Sequence, residues 1–359
     1  MSQYYVVIMA GGIGSRFWPY SRVAKPKQFL DVLNIGKTLI QMTYERYLNI
    51  CPKENIYIVT NEDYCDLVKE QLPDLSENQI LSEPARRNTA PCIAYACRKI
   101  YKNDVEAKII ISPSDHLVIK EQAFIEVVEK ALEYIHENNA LLTLGIKPSR
   151  PDTGYGYIQY EEDSNNGGIF KVKAFTEKPD IELAKTFLKS GDFLWNSGMF
   201  IWRASTILEA MKMHIPEVYE AIESVADTFY TEKESIAIKK AYTQCTSISI
   251  DYAVMEKAEN VHVMPAEFGW SDIGTWASLY AIYEKDYLGN AVSGNMVKVY
   301  DGADNMIVVP KQKMVVLNGI KGCCIVDTED VLLITKLDRE QEVKKITTDL
   351  KAKKLDKYL

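Results

Sequence analysis

Histidine is scarce, cysteine is unpatterned and long apolar stretches are missing; each absence removes a class of function. Four histidines in 359 residues stand in no ligand spacing, so no zinc site can be read. The seven cysteines, at 51, 65, 92, 97, 245, 323 and 324, include no C-x-x-C pair, and their number is odd. The vicinal Cys323–Cys324 pair cannot bridge without strain, so the set reads as reduced thiols serving as small apolar residues in the cytoplasm. No apolar run approaches the length of a membrane span. The opening Tyr4 to Ala10 is apolar but lacks a basic leader and runs directly into Gly11–Gly12, which suits a buried strand better than a secretion signal. Positive charge is in deficit overall, and a net charge of −8 argues against a nucleic-acid or membrane surface. Acid, in turn, is missing from residues 1–30, which carry Arg16, Arg22, Lys25 and Lys27. A cationic patch on an acidic protein points to a small bound polyanion; a solvated charged face is the plain alternative.

What is present fits a soluble globular protein, with 47% apolar and 26% charged residues. The length exceeds one ordinary compact core and predicts a large domain with a smaller one. Short aliphatic runs at Val6–Met9, Ile56–Thr60, Ile80–Leu81, Lys108–Ser112 and Leu141–Gly145 read as strands buried on both faces. Helical patterns separate them. Thr38 and Gln41 form a capping box, Asn61 is placed to cap the next helix, and Thr89 to cap a third, with Pro91 harmless in its first turn. This β-α-β-α order predicts an α/β fold, a doubly wound, mostly parallel but mixed Rossmann-like sheet. After about residue 284, short strands between Gly, Asp and Asn turns predict a compact all-β unit with a charged helical tail. The expected domains are therefore 1–283 and 284–359. No Pro- or Ser-rich linker separates them, so they are expected to pack together.

The first strand leads into Met9-Ala-Gly-Gly-Ile-Gly-Ser-Arg-Phe-Trp-Pro. Glycines there let the backbone approach an anion and aim N–H groups at it. A Walker A loop is excluded because Gly14 is followed by Ser15 and Arg16 where Lys and Ser/Thr are required. A dinucleotide fingerprint is excluded because Phe17 stands where the third glycine belongs. What remains is Gly11-Gly12-x-Gly14-x-Arg16-x-x-Pro19 followed by Pro26-Lys27-Gln28-Phe29.

That combination resembles the signature of the sugar nucleotidyltransferases, and its Pro-Lys-Gln-Phe form resembles the mannose-1-phosphate guanylyltransferases, also called GDP-mannose pyrophosphorylases. Further segments match in order through about residue 285. Glu83-Pro-Ala-Arg-Arg-Asn-Thr-Ala-Pro91 is similar to the nucleobase loop, where backbone groups and Asn88, Thr89 and Ala90 would read guanine; Cys92 replaces the more usual alanine. Asp115, closing a strand, and Asp272, in Gly-Trp-Ser-Asp-Ile-Gly, are implied as the Mg²⁺ ligands. His116 is read as structural. Gly154 resembles the sugar-loop glycine, and Lys178 the group that meets the sugar phosphate. Glu177 and Asn196 resemble the sugar-hydroxyl partners, Asn196 as an amide able both to donate and to accept. Asp251 matches the family but receives no role beyond a helix start or supporting position. Gly11, Gly12 and Gly14 would hold triphosphate, and Arg16 and Lys27 would neutralise departing pyrophosphate.

The resemblance implies a catalytic domain similar to the GT-A fold, a small C-terminal β-helix-like domain, and a cytoplasmic, Mg²⁺-dependent enzyme of GDP-mannose biosynthesis. Its partners would be GTP and mannose 1-phosphate, with a homodimer allowed and neither nucleic acid nor membrane involved. Long members of the family also carry a phosphomannose isomerase domain, for which no room is expected here. Another base or hexose, and a non-catalytic subunit that binds sugar nucleotides, remain as alternatives.

Overall fold

The computed structural model describes residues 4–359, apart from the side chain of Glu340. These group into two units that do not follow chain order. One comprises the chain up to Gly11, Thr43–Ser114 and Val118–Trp270; the other comprises Gly12–Met42, Asp115–Leu117 and Ser271–Leu359.

The first unit is built on a nine-stranded sheet. Its order is Ile80–Glu83, Ile56–Asn61, Tyr4–Met9, Lys108–Pro113, Phe193–Arg203, Leu141–Ile146, Val261–Ala266, Phe170–Thr176 and Tyr157–Tyr160. The first four strands run parallel, with Val6 opposite both Ile56 and Ile110. The strand Phe193–Arg203 is antiparallel to both its neighbours in that order, so the expected mixed sheet is present. Every residue of Ile56–Asn61 is buried, as β-branched strands covered on both faces must be. Helix Thr89–Asn103 lies on this core through Ala90, Ile93, Ala94, Ala96 and Cys97, small or slender residues that permit close packing. Its cap is Asn88, whose side chain accepts from Thr89 N; Thr89 is already helical, and its hydroxyl instead accepts from Ile250 N at 2.8 Å. The cap thus lies one residue earlier than the sequence pattern predicts.

The chain order reverses beside strand Tyr4–Met9, between Ile56–Asn61 and Lys108–Pro113. Such a switch point, at the carboxyl ends of parallel strands, is where open α/β sheets bind ligands. The chain leaves the two strands Tyr4–Met9 and Lys108–Pro113 through Ala10 and Ser114, which are pinned by Ala10 N to Val59 O at 2.7 Å and Ser114 N to Met9 O at 3.0 Å.

The second unit joins the glycine-rich segment to the C-terminal strands. Ala291–Ser293, Met306–Val308 and Cys323–Asp327 pair in parallel, as do Val297–Tyr300 and Val315–Asn318, around Ile307, Val309, Cys323 and Ile325. Successive parallel rungs are the architecture of a β-helix. Two buried asparagines tie the rungs together. Asn305 Nδ2 donates to Asn290 Oδ1 at 2.9 Å and to Ile320 O at 2.8 Å, while its Oδ1 accepts from Cys323 N at 2.9 Å. A separate core gathers Phe17, Trp18, Leu30, Trp276, Met306 and Val343. Within it Phe17 stacks on Trp276 with ring centroids 4.1 Å apart, and the Trp276 indole donates to Trp18 O. No disulfide joins any of the seven cysteines. No described helix is long and apolar enough to cross a membrane.

Candidate active site

The glycine-rich segment is held in shape from within its own unit. Gln28 Nε2 donates to Gly12 O at 2.9 Å, and Ser21 Oγ to Ile13 O at 2.6 Å. Ser15–Phe17 forms a single 3₁₀ turn. Gly14 has φ +67°, and a Cβ there would lie 2.7 Å from Lys27 Cβ, so conformation and space both demand glycine. Gly12 is exposed, with open space where a Cβ would point. Arg16 is half-buried and reaches Gln341 at 3.5 Å.

Lys27 is the hub of this unit's charged groups. Its side chain is buried, and Nζ lies 2.6 Å from Asp115 Oδ2. The same ammonium donates to Asp272 O at 2.7 Å and to Ile273 O at 3.1 Å. Three segments distant in sequence therefore meet at one cation. Asp272 turns its Oδ1 onto Gly274 N at 2.8 Å. His116 Nε2 stands 3.9 Å from Asp115 Oδ1. Burial pushes the Asp115 carboxyl up, but the Lys27 charge and hydrogen bond, with His116, outweigh it and hold it below its ordinary value. The cationic patch read from residues 1–30 is thus partly neutralised inside the protein: Lys27 pairs with Asp115, and Arg22 pairs with Asp330 at 2.6 Å.

Among the described residues no three His, Cys, Asp or Glu side chains gather to form a complete metal site. The chemistry of the donor set nevertheless fits Mg²⁺, which is commonly held by one or two carboxylates with phosphate oxygens completing the shell. Asp115 and the Asp272 segment already converge on one positive group.

In the first unit the loop Glu83–Ala90 closes on residues 248–250. Ala90 N donates to Ile248 O at 3.1 Å, and Ile248 N to Arg87 O at 3.2 Å. The Asn88 side-chain oxygen caps Thr89 N at 2.9 Å. The Thr89 and Ala90 amides are consequently used by the fold, while the exposed Asn88 retains its amide nitrogen. The more telling group here is Glu83, whose only mark in the sequence is its place at the head of the loop. Its carboxyl is buried, accepts from Tyr242 Oη at 3.0 Å, and has Oε2 3.4 Å from where a Cβ of Gly11 would stand. Burial raises its pKa to about 7, against the smaller pull of Tyr242 and Arg86.

The residues read as sugar-side also meet within the first unit. Lys178 N donates to Tyr155 O, Asn196 N to Gly156 O at 2.8 Å, and the Lys178 ammonium pairs with Glu177 Oε1. Lys178 itself has φ +48° and an exposed side chain, whereas Glu177 is largely covered. Gly154 N is tied to Asp152 Oδ1 at 2.8 Å. Gly156 is set against the sugar-side groups: a Cβ there would strike Glu177 Oε2 and touch Asn196 Cβ. Asp251, at the head of an irregular turn over Asp251–Met255, accepts from Asn196 Nδ2 at 2.8 Å. Its signal in sequence is its place in a segment that matches the family, an acid before an apolar run.

A nucleotidyl transferase family model matches residues 5–287, and a mannoseP isomerase/GMP-like β-helix domain model matches residues 294–350. A mannose-1-phosphate guanylyltransferase of Escherichia coli K12 is 38% identical over 359 residues, covering 98% of this chain and 74% of its own. The chain belongs to the mannose-1-phosphate guanylyltransferase family. A Salmonella montevideo member is 37% identical, covering 96% of this chain and 73% of its own. A crystal structure from Thermus thermophilus, described as a mannose-1-phosphate geranyltransferase, superposes with TM-score 0.86 at 30% identity, over 97% of this chain and 99% of that one. As a guanylyltransferase-family member the protein is an enzyme of nucleotidyl transfer, with a mixed-sheet nucleotidyltransferase domain followed by a β-helix-like one.

Proposed function

We propose that this chain transfers GMP from GTP to α-D-mannose 1-phosphate, giving GDP-mannose and pyrophosphate. The observation that carries the reading is the meeting of Lys27, the Asp115 carboxylate and the Asp272 segment at a single ammonium. In this reaction a phosphate oxygen of the sugar phosphate attacks the α-phosphorus of GTP in line, and the bond to the β-phosphate oxygen breaks. The nucleophile is already ionised at neutral pH, so neither a general base nor a covalent intermediate is required. What the protein must supply is alignment of mutually repelling anions and stabilisation of the charge that moves.

The backbone of Gly11–Gly14 and the Arg16 guanidinium bind the triphosphate, Lys27 neutralises the leaving pyrophosphate, and Lys178 orients the attacking phosphate. Asp115 and Asp272 would hold Mg²⁺, which would supply Lewis-acid neutralisation of the phosphate charge. For the base, the acid that matters is Glu83. A carboxylate is the natural acceptor for adjacent N–H donors such as those on the guanine edge, and adenine offers no such pair, which supports Glu83 as the guanine-reading group. Glu177 and Asn196 take the hexose. Seven cysteines without a disulfide suit a reducing compartment, and we assign the enzyme to the cytoplasm.

The test is pyrophosphate release from GTP with mannose 1-phosphate and Mg²⁺, set against ATP, dTTP, UTP and glucose 1-phosphate. The reading requires GTP with mannose 1-phosphate to give the highest kcat/KM and activity to vanish with chelator. A clear preference for another nucleotide or hexose overturns it.

A further inference from the structure

Asn196 is fixed at both ends of its amide. Its Oδ1 accepts from Gly198 N and faces Thr143 Oγ1, each at 3.1 Å, and its Nδ2 donates to Asp251 Oδ1 at 2.8 Å. The Thr143 hydroxyl has one proton to share between Asn196 Oδ1 and Met199 O, also 3.1 Å away. An amide oxygen has two lone pairs and an amide nitrogen two hydrogens. Gly198 N takes one lone pair, the buried Thr143 hydroxyl stands before the other, and one N–H remains. Asn196 can donate to a hexose hydroxyl through its remaining N–H, while its oxygen is already faced by Gly198 N and Thr143 Oγ1. A sugar hydroxyl is itself a donor, so its proton needs an acceptor from elsewhere. The neighbouring acceptors are Glu177, one oxygen of which already holds the Lys178 ammonium, and Asp251.

We infer that Asp251 is a specificity-determining residue of the sugar subsite, its carboxylate accepting from a hexose hydroxyl beside the one that receives the remaining Asn196 N–H. The inference rests on the function proposed above. A donor and an acceptor held 2.8 Å apart present the pattern that two adjacent ring hydroxyls can satisfy together. The backbone that carries Asp251 is firmly placed. Ala253, Val254 and Met255 are buried beneath it, and Ile250 N is anchored on Thr89 Oγ1. A purely structural account leaves its charge unexplained. Burial and the nearby Glu177 raise the Asp251 pKa to about 6, against the smaller pull of Asn196 and Lys178, so the fold gains little from an ionised group there. Holding the Asn196 amide requires only an acceptor, which a neutral asparagine would also provide.

The experiment compares the wild type with Asp251→Asn and Asp251→Ala on mannose 1-phosphate and its 2-, 3-, 4- and 6-deoxy analogues. Asp251→Asn keeps an acceptor for Asn196 but loses the charge. Both variants should raise KM for mannose 1-phosphate roughly 10- to 100-fold, the cost of one charge-assisted hydrogen bond, with KM for GTP within about two-fold of wild type. For one deoxy analogue the wild-type penalty should disappear in the variants, because hydroxyl and carboxylate act as one pair. Penalties that simply add for every analogue, or a normal KM in Asp251→Asn, would overturn the inference. An equal rise in both KM values would overturn it too, by pointing to general disturbance of the site. A wild type inactive on mannose 1-phosphate but active on another sugar phosphate would instead sink the functional reading, and this inference with it.

Discussion

Lys27 and Asp115 form an ion pair of 2.6 Å in which the lysine is buried and the same ammonium also binds the Asp272 carbonyl. Removing the ammonium leaves a partly buried carboxylate without its cation and frees three chain segments at once. Lys27→Ala should lower turnover by on the order of 10²-fold through lost electrostatic stabilisation. It should also lower the unfolding free energy by about 3 kcal/mol, because one partner of a covered pair is left behind. Pyrophosphate-release kinetics and urea denaturation measure the two effects separately; near-normal values for both would show that Lys27 neither catalyses nor braces.

Asp272→Asn separates charge from fold. Its Oδ1 accepts from Gly274 N, a bond that an asparagine oxygen can keep. Stability should therefore stay within about 1 kcal/mol of wild type, while turnover falls by on the order of 10²-fold. The Mg²⁺ concentration giving half-maximal rate should rise as well. A variant with unchanged Mg²⁺ dependence would remove Asp272 from the cation site.

Glu83 makes stability depend on pH. Its pKa rises from 4.5 in the unfolded chain to about 7 in the fold, because burial opposes ionisation. Between those values the folded protein binds the extra proton, so stability is full below about pH 4.5, falls as pH rises and levels off above about 7. The full span is on the order of 3 kcal/mol. Glu83→Gln keeps a neutral side chain of the same shape and should not show this decline. Urea titrations of both proteins across the interval from about pH 4.5 to about 7 give the difference directly. Parallel curves would mean that the carboxyl ionises as freely in the fold as in the unfolded chain.

Much of this was legible in the sequence because strong local rules acted there. Consecutive β-branched residues at Ile56–Thr60 and Lys108–Ser112 fit strands buried on both faces, and in the glycine run Gly11–Gly14 the last residue takes the left-handed conformation at φ +67° that glycine permits. Residues whose roles depend on tertiary partners were not legible. The pairings of Lys27 with Asp115 and of Arg22 with Asp330 join segments far apart along the chain, and nothing local announces either. Glu83 looked like any loop acid because its burial against Tyr242 is set by a helix far along the chain. The Asn290–Asn305 ladder was hidden for the same reason, since a buried asparagine and a turn asparagine are written with one letter.

Gly156→Ala tests the sugar side through sterics alone. Gly156 is not among the glycines with positive φ, so alanine brings no backbone penalty of that kind. Its Cβ would instead strike Glu177 Oε2, the end of a flexible side chain that can move aside, and would press on Phe175 Cε1 at 3.3 Å, with Asn196 Cβ in ordinary contact at 3.4 Å. The cost should therefore fall on binding more than on folding. The expected result is a Tm close to wild type and a KM for mannose 1-phosphate raised at least about 10-fold, because displacing Glu177 disturbs both its Lys178 pair and its place beside Asn196. KM for GTP should change little. If both KM values stayed at wild type, Glu177 could leave its observed position without consequence, and neither it nor Gly156 would belong to the sugar subsite.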